Sequence, residues 1–179
     1  RPALQKLPRL LLNLIDRFSD LTGRVISPLL GLMLLATFGV VVSRYGFDYG
    51  AVKLQESVIY LHATVFMLGF GYTLKQGGHV RVDILYQKLN QRGQALVNLA
   101  GTLFFLLPMS GFILYSSFDY VSFSWRLSEG SAEPGGLPFV YLLKTLIPVS
   151  AGFLILQGLG EVIRNLAQLT PQPGPPTDG

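Results

Sequence analysis

The residues able to do chemistry in this chain are few, and most lie at the edges of long apolar runs. The densest group is Lys75-Gln-Gly-Gly-His-Val-Arg-Val-Asp83, which gathers Lys75, His79, Arg81 and Asp83 into one short stretch. Gly77 and Gly78 stop a helix there, since glycine is the usual residue just past a helix end. Val80, Val82, Ile84 and Leu85 supply apolar side chains, so the stretch suits a membrane interface. Two readings stand. One is a basic loop that simply turns the chain. The other is a fixed polar latch, with Asp83 paired to Arg81 or Lys75 and His79 bonded to backbone.

Arg44 and Tyr45 close one apolar run and Glu56 opens the next. Arg44 and Glu56 can meet across the short connection as a hairpin brace, and Tyr45 suits an interfacial aromatic belt. An exposed ion pair contributes only ~1 kcal/mol, so the value of such a brace is geometric. The alternative is two unconnected side chains snorkelling to water. Lys144 is the one charge set well inside an apolar run, about 10 Å along a helix from Leu137. A charge at that depth faces protein or water, or snorkels outward. Glu129 and Glu133, which follow Arg126 in the preceding stretch, are its candidate counter-ions.

His62 lies inside the second run. A haem held by two histidines needs both at similar depth, and the other histidine, His79, lies beyond the end of that run. A hydrogen bond from His62 to a neighbouring helix is the better reading. Cysteine is absent, which excludes disulfides, thiolate metal sites and thiol catalysis. Metal, phosphate-loop and nucleophile–base patterns are missing, so the sequence points away from an enzyme and calls for no cofactor.

The elements that must position these residues are membrane helices. Only 13% of the residues are charged and 50% are hydrophobic, against about 25% charged in soluble domains. Four runs, about 25–45, 55–75, 93–118 and 137–160, are nearly free of charge. Each is close to the ~20 residues that cross a hydrocarbon core of roughly 30 Å. The runs are continuous rather than alternating, which favours helices over a barrel. The fold class expected is therefore an all-α membrane protein of one domain over 1–169. Pro28 falls near the start of the first span, where proline is tolerated. Pro108 and Pro148 fall inside the third and fourth, where a kink is expected. Gly69, Gly71, Gly101, Gly111, Gly152, Gly158 and Gly160 offer small faces for close helix packing.

Before the first span, residues 8–23 form a further helix candidate. Arg9, Asn13, Asp16, Arg17 and Asp20 lie on one face and Leu11, Leu14, Ile15, Phe18 and Leu21 on the other. This amphipathic pattern suits a helix lying in the interface, or one packed on a partner subunit. The tail from Thr170 to Gly179, TPQPGPPTDG, reads as disordered. Ten of the fourteen Lys and Arg residues fall before span one, within residues 75–92, or after span four. The positive-inside rule then places both termini in the cytoplasm. The net charge of +4 fits anionic lipid better than nucleic acid.

Arg44-Tyr45, Glu56 and the stretch GFGYTLKQGGHVRVD from Gly69 to Asp83 together resemble the small membrane subunit of TRAP (tripartite ATP-independent periplasmic) transporters, the DctQ-like proteins. The resemblance runs over residues 15–165. The segment SWRLSEGSAEPGGLPFVYLLKTLIPVSAGFLILQG is similar to the branch labelled for mannitol or chloroaromatic transport. The resemblance implies a sodium-driven importer of an organic acid or similar solute in a bacterial or archaeal inner membrane. A periplasmic binding protein captures the solute, and a large elevator-type subunit carries both it and the sodium. The small subunit braces the large one. On this view Lys75, Gly78, His79, Arg81 and Asp83 contact the large subunit or phospholipid, and Arg44, Tyr45 and Glu56 form the hairpin brace. Arg126, Glu129 and Glu133 lie in a candidate docking loop for the binding protein. The competing classes are a small self-assembling channel and a haem or quinone redox subunit.

Overall fold

The computed structural model describes residues 2–76 and 86–169, with side chains from Leu10 onward. Four long helices make up almost all of it: α1 Pro2–Gly46, α2 Val52–Lys75, α3 Gln91–Arg126 and α4 Val140–Leu169. Each is long and apolar enough to cross a membrane. The four-span fold read from composition is therefore observed. The tail from residue 170 lies outside the described residues.

The helices stand in a row, in the order α1, α2, α4, α3. α1 and α2 run antiparallel, with Gly23 against the Tyr72 ring at one end and Gly39 against Leu54 at the other. α2 packs on α4 where Gly71 meets Phe153. α4 packs on α3 where Gly158 meets Leu106 and Leu107. α1 reaches α4 only near its own N-terminal part, with Phe18 and Phe153 edge to face at 5.0 Å. Among the described residues, α1 and α3 have no packed seam between them. A closed bundle would join them, so this arrangement is open. α4, with a neighbour on each side, is the most covered helix: 28% of its most apolar window is buried, against 6% in α1. Small and polar residues fill its seams, with Ser150, Ala151, Gln157 and Gly158 buried on α4 and Ser110, Ser117 and Ser124 buried on α3. Small side chains let membrane helices approach closely where burial of apolar area alone gives little drive.

Two features depart from expectation. The segment 8–23 is not a separate helix but the beginning of α1, which continues through Pro28 without a break in its helical run. Gly23 does not break the run; it lets the Tyr72 ring of α2 pack against α1. The whole helix is about 67 Å long, at about 1.5 Å per residue. α3 also extends past the expected span at both ends. It contains one π turn, Thr102–Leu106, immediately before Pro108. A wider turn there relieves the clash between the proline ring and the carbonyl four residues earlier. Pro148 lies inside α4.

Of the seven glycines expected to promote packing, Gly71, Gly158 and Gly160 face neighbouring side chains. Gly69, Gly101, Gly111 and Gly152 face open space.

Candidate functional site

The polar side chains gather at the two ends of the row. At the end formed by α2's C-terminus, Lys75 Nζ lies 2.6 Å from Asp20 Oδ1 and donates to the Asp16 carbonyl at 3.0 Å. Arg164 Nη1 donates to Asp16 Oδ1 at 2.9 Å, and Nη2 to Glu161 Oε1 at 3.1 Å. Asn165, buried, donates to the Glu161 carbonyl at 2.7 Å. One helical turn deeper, Gln157 Nε2 bonds Ser19 Oγ. Three helices are thereby tied through α1, whose Asp16 and Asp20 lie four residues apart on one face. Beside this knot, α1, α2 and α4 form a half-open apolar pocket of about 640 Å³ lined by Leu11, Phe18, Gly71, Phe153 and Gln157. Gln157 is 2% exposed, and its Oε1 has no hydrogen-bond partner among the described residues.

At the opposite end, the loop after α3 is built by helix termination. Ser128 adopts φ 46°, its N–H bonds the Trp125 carbonyl, and the Glu129 N–H bonds the Ser124 carbonyl. This six-to-one and five-to-two pairing closes α3 and aims the Glu129 side chain back along the helix. Glu129 Oε2 accepts from Ser124 Oγ at 2.6 Å and from Lys144 Nζ at 2.5 Å. Lys144 also sits 4.1 Å from the centre of the Tyr120 ring. Trp125 Nε1 donates to Thr145 Oγ1 at 2.8 Å, a second α3–α4 tie. The loop then folds on itself, with the Ser131 N–H bonded to the Leu137 carbonyl at 3.0 Å. Glu56 of α2 clamps it, accepting from the Leu137 N–H at 2.6 Å and from Ser131 Oγ. Gly136 lies so close to this clamp that a Cβ would fall 2.7 Å from Glu56 Oε1.

Lys144 thus pairs within the chain, with Glu129 and not Glu133. The Arg44–Glu56 brace is not formed. Arg44 is exposed, and the Glu56 carboxylate is turned toward the loop of residues 130–137. The connection between α1 and α2 is closed instead by Ser43, whose carbonyl accepts from the Tyr49 N–H and whose Oγ donates to the Tyr49 carbonyl at 2.8 Å. Tyr45 is 84% exposed. Arg126 and the Glu133 side chain are exposed beside the clamped loop. Lys75 is described and paired, whereas Gly78, His79, Arg81 and Asp83 lie outside the described residues. Gln157, Ser131 and Arg164 were not singled out from the sequence, and Asp16 and Asp20 were read only as part of a polar helix face. Their partners lie 55 to 148 residues away for the ionic and amide contacts, beyond the reach of local spacing.

Glu129 gives a pH dependence. The Lys144 ammonium, and then the Ser124 hydroxyl, hold its carboxyl below the usual value of 4.5. A lowered carboxyl adds stability that is complete above its unfolded value and lost as pH falls through the folded one. The thermal midpoint of the purified chain should therefore fall once the pH drops below about 4.5. Glu129→Gln should lower the midpoint at neutral pH and flatten that acid limb. An unchanged acid limb in the variant would show that Glu129 does not carry it.

A row of four helices long and apolar enough to span a membrane, knotted by polar side chains at both ends, defines a multi-pass membrane protein. Comparison with known proteins gives its family. Residues 33–168 match the family described as "Tripartite ATP-independent periplasmic transporters, DctQ component". The ectoine TRAP transporter small permease protein TeaB of Halomonas elongata is 30% identical over 142 residues, covering 76% of this chain and 70% of that protein. No solved structure matches the chain. The chain belongs to the DctQ family of small membrane subunits of TRAP transporters, and it is a transport component rather than an enzyme.

Proposed function

We propose that this chain is the scaffolding subunit of a sodium-coupled importer of an organic acid or similar solute, seated in an inner membrane with both termini in the cytoplasm. It braces a large elevator-type subunit. The observation that carries this reading is the open row. α1, α2 and α4 run unbroken across membrane length, and their end knots hold them to one another. Transport cores instead place half-helix ends around a central solute site. A stiff row with uncovered flanks suits a wall against which another subunit moves. Sodium and solute belong to the large subunit, and the choice of solute to the binding protein. The loop of residues 127–139, with Arg126 and Glu133 exposed beside the Glu56 clamp, is the proposed docking surface for that binding protein. The segment Lys75, Gly78, His79, Arg81 and Asp83 is the proposed contact to the large subunit or to phospholipid head groups.

Gentle extraction of the tagged chain from native membranes should retain a stoichiometric partner of many hydrophobic spans. A clean homo-oligomer, or a coloured preparation with no large partner, would replace this reading with a channel or a redox subunit. Arg81→Glu and Asp83→Lys should each weaken retention of the partner and lower uptake while leaving membrane insertion intact. Full retention and normal uptake in both variants would remove that segment from the interface.

A further inference from the structure

α2 stands second in the row, with α1 on one flank and α4 on the other, so part of its surface has no protein cover. Gln55, Ile59, His62, Phe66, Gly69 and Thr73 run along that uncovered face, spaced four, three, four, three and four residues apart. Five of these side chains are exposed, and a Cβ built on Gly69 meets nothing within 4 Å. Alternating four and three is the spacing of a left-handed helix–helix seam.

His62 is near the middle of α2, roughly 15 Å from the Val52 end and roughly 20 Å from the Lys75 end. Its ring stacks on Phe66, with centroids 6.1 Å apart and planes 9° apart. No side chain or carbonyl of the described residues hydrogen-bonds the imidazole. Acyl chains can neither donate nor accept a hydrogen bond, so a polar ring facing them at mid-membrane is disfavoured. The other uncovered faces differ. α1 presents Leu30, Leu34, Leu35 and Phe38, and α3 presents Phe104, Phe105 and Phe112. The α1 face is apolar at the depth of His62 and suits lipid, and Phe104 and Phe105, beside the Gly158 seam, give an apolar face nearer the Lys75 end of α2.

We infer that the α2 face bearing His62 receives one transmembrane helix of the large subunit, with a hydrogen-bonding group level with the imidazole and a bulky side chain over the Gly69 notch. This rests on the scaffolding reading above and names the surface through which it acts.

The chain has no cysteine of its own, so single cysteines can carry a photoactivated cross-linker in the assembled transporter. Ile59→Cys and Phe66→Cys should give adducts with the large subunit, and Leu34→Cys and Phe105→Cys about tenfold less. Gly69→Leu should lower retention of the large subunit about tenfold while leaving the thermal midpoint of the isolated chain unchanged. Gly111→Leu, on an equally open face of α3, should leave retention intact. Retention of the large subunit with adducts only from positions 34 or 105 would overturn the inference and spare the scaffolding reading. Adducts of twice the chain's own mass from positions 59 and 66 would overturn it in favour of a second copy. Absence of a large subunit from the wild-type preparation would overturn both.

Discussion

Gly158→Leu should cost about 3 kcal/mol of stability, the upper part of the range for overfilling a packed interior, and lower the thermal midpoint by on the order of 10 °C. A Cβ at Gly158 would lie 2.9 Å from Leu107 Cδ2 and 3.1 Å from Leu106 Cδ2. The remaining leucine atoms would press into the one place where α3 makes its π turn. α4 is the helix on which both α2 and α3 pack, so a wedge at this seam opens the row at its centre. Gly71 provides the contrast. A Cβ there meets Phe153 at an ordinary 3.4 Å, and the position borders the pocket between α1, α2 and α4. Gly71→Leu should therefore be milder. Thermal unfolding of both variants in nanodiscs separates the two cases. Equal midpoints would mean that the α3–α4 seam is not tight.

Asp16→Arg should loosen the opposite flank. Arg164 would lose its carboxylate partner on α1, and Lys75 and Arg164 would gain a third cation between them. Forced like-charge contact of this kind costs several kcal/mol at interfaces. With side chains still 18–35% exposed at Lys75, Arg164 and Asp16, a value of about 2 kcal/mol is expected after screening. The N-terminal part of α1 should then peel from α2 and α4, seen as faster proteolysis before residue 20. Adding Arg164→Asp restores one opposite-charge pair and should recover part of the loss, a coupling that a double-mutant cycle reads directly. No recovery in the double variant would mean that Asp16 acts through something other than Arg164.

The spans were legible because composition alone marks them. Glu129 as a partner of Lys144 was legible because the glutamate sits in the stretch directly before the helix that carries the lysine. Glu56 was misassigned for the matching reason. Arg44 is its near neighbour in sequence, while its true partners, Ser131 and Leu137, come from a loop 75 and 81 residues away. The amphipathic pattern of residues 8–23 was read correctly as a helix with one polar face. What the pattern could not convey is that Asp16 and Asp20 on that face bond to α2 and α4. Amphipathicity records that a face is polar, not whether water or protein meets it. Gly23 and Pro28 sit at the junction with span one, so nothing local in the sequence signalled that this helix would fuse with the span. The family was legible in the residues that close span one and span two, and the match over 33–168 agrees with that reading.

The π turn in α3 has a consequence for insertions and deletions. Ala95 and Thr102 are buried and seven residues apart, and so are Ser110, Ser117 and Ser124 among themselves. Between Thr102 and Ser110 the interval is eight. One residue of ordinary helix rotates the chain by about 100°, so an eight-residue interval would throw the two halves of α3 out of phase on α4. The turn at Thr102–Leu106 absorbs the odd residue and keeps both halves pointing at the same neighbour. α3 therefore has one place where a single residue can be deleted without rotating either face. Elsewhere in that helix, a single insertion or deletion would swing part of its buried face, Ala95 on one side of the turn or Ser117 and Ser124 on the other, away from α4.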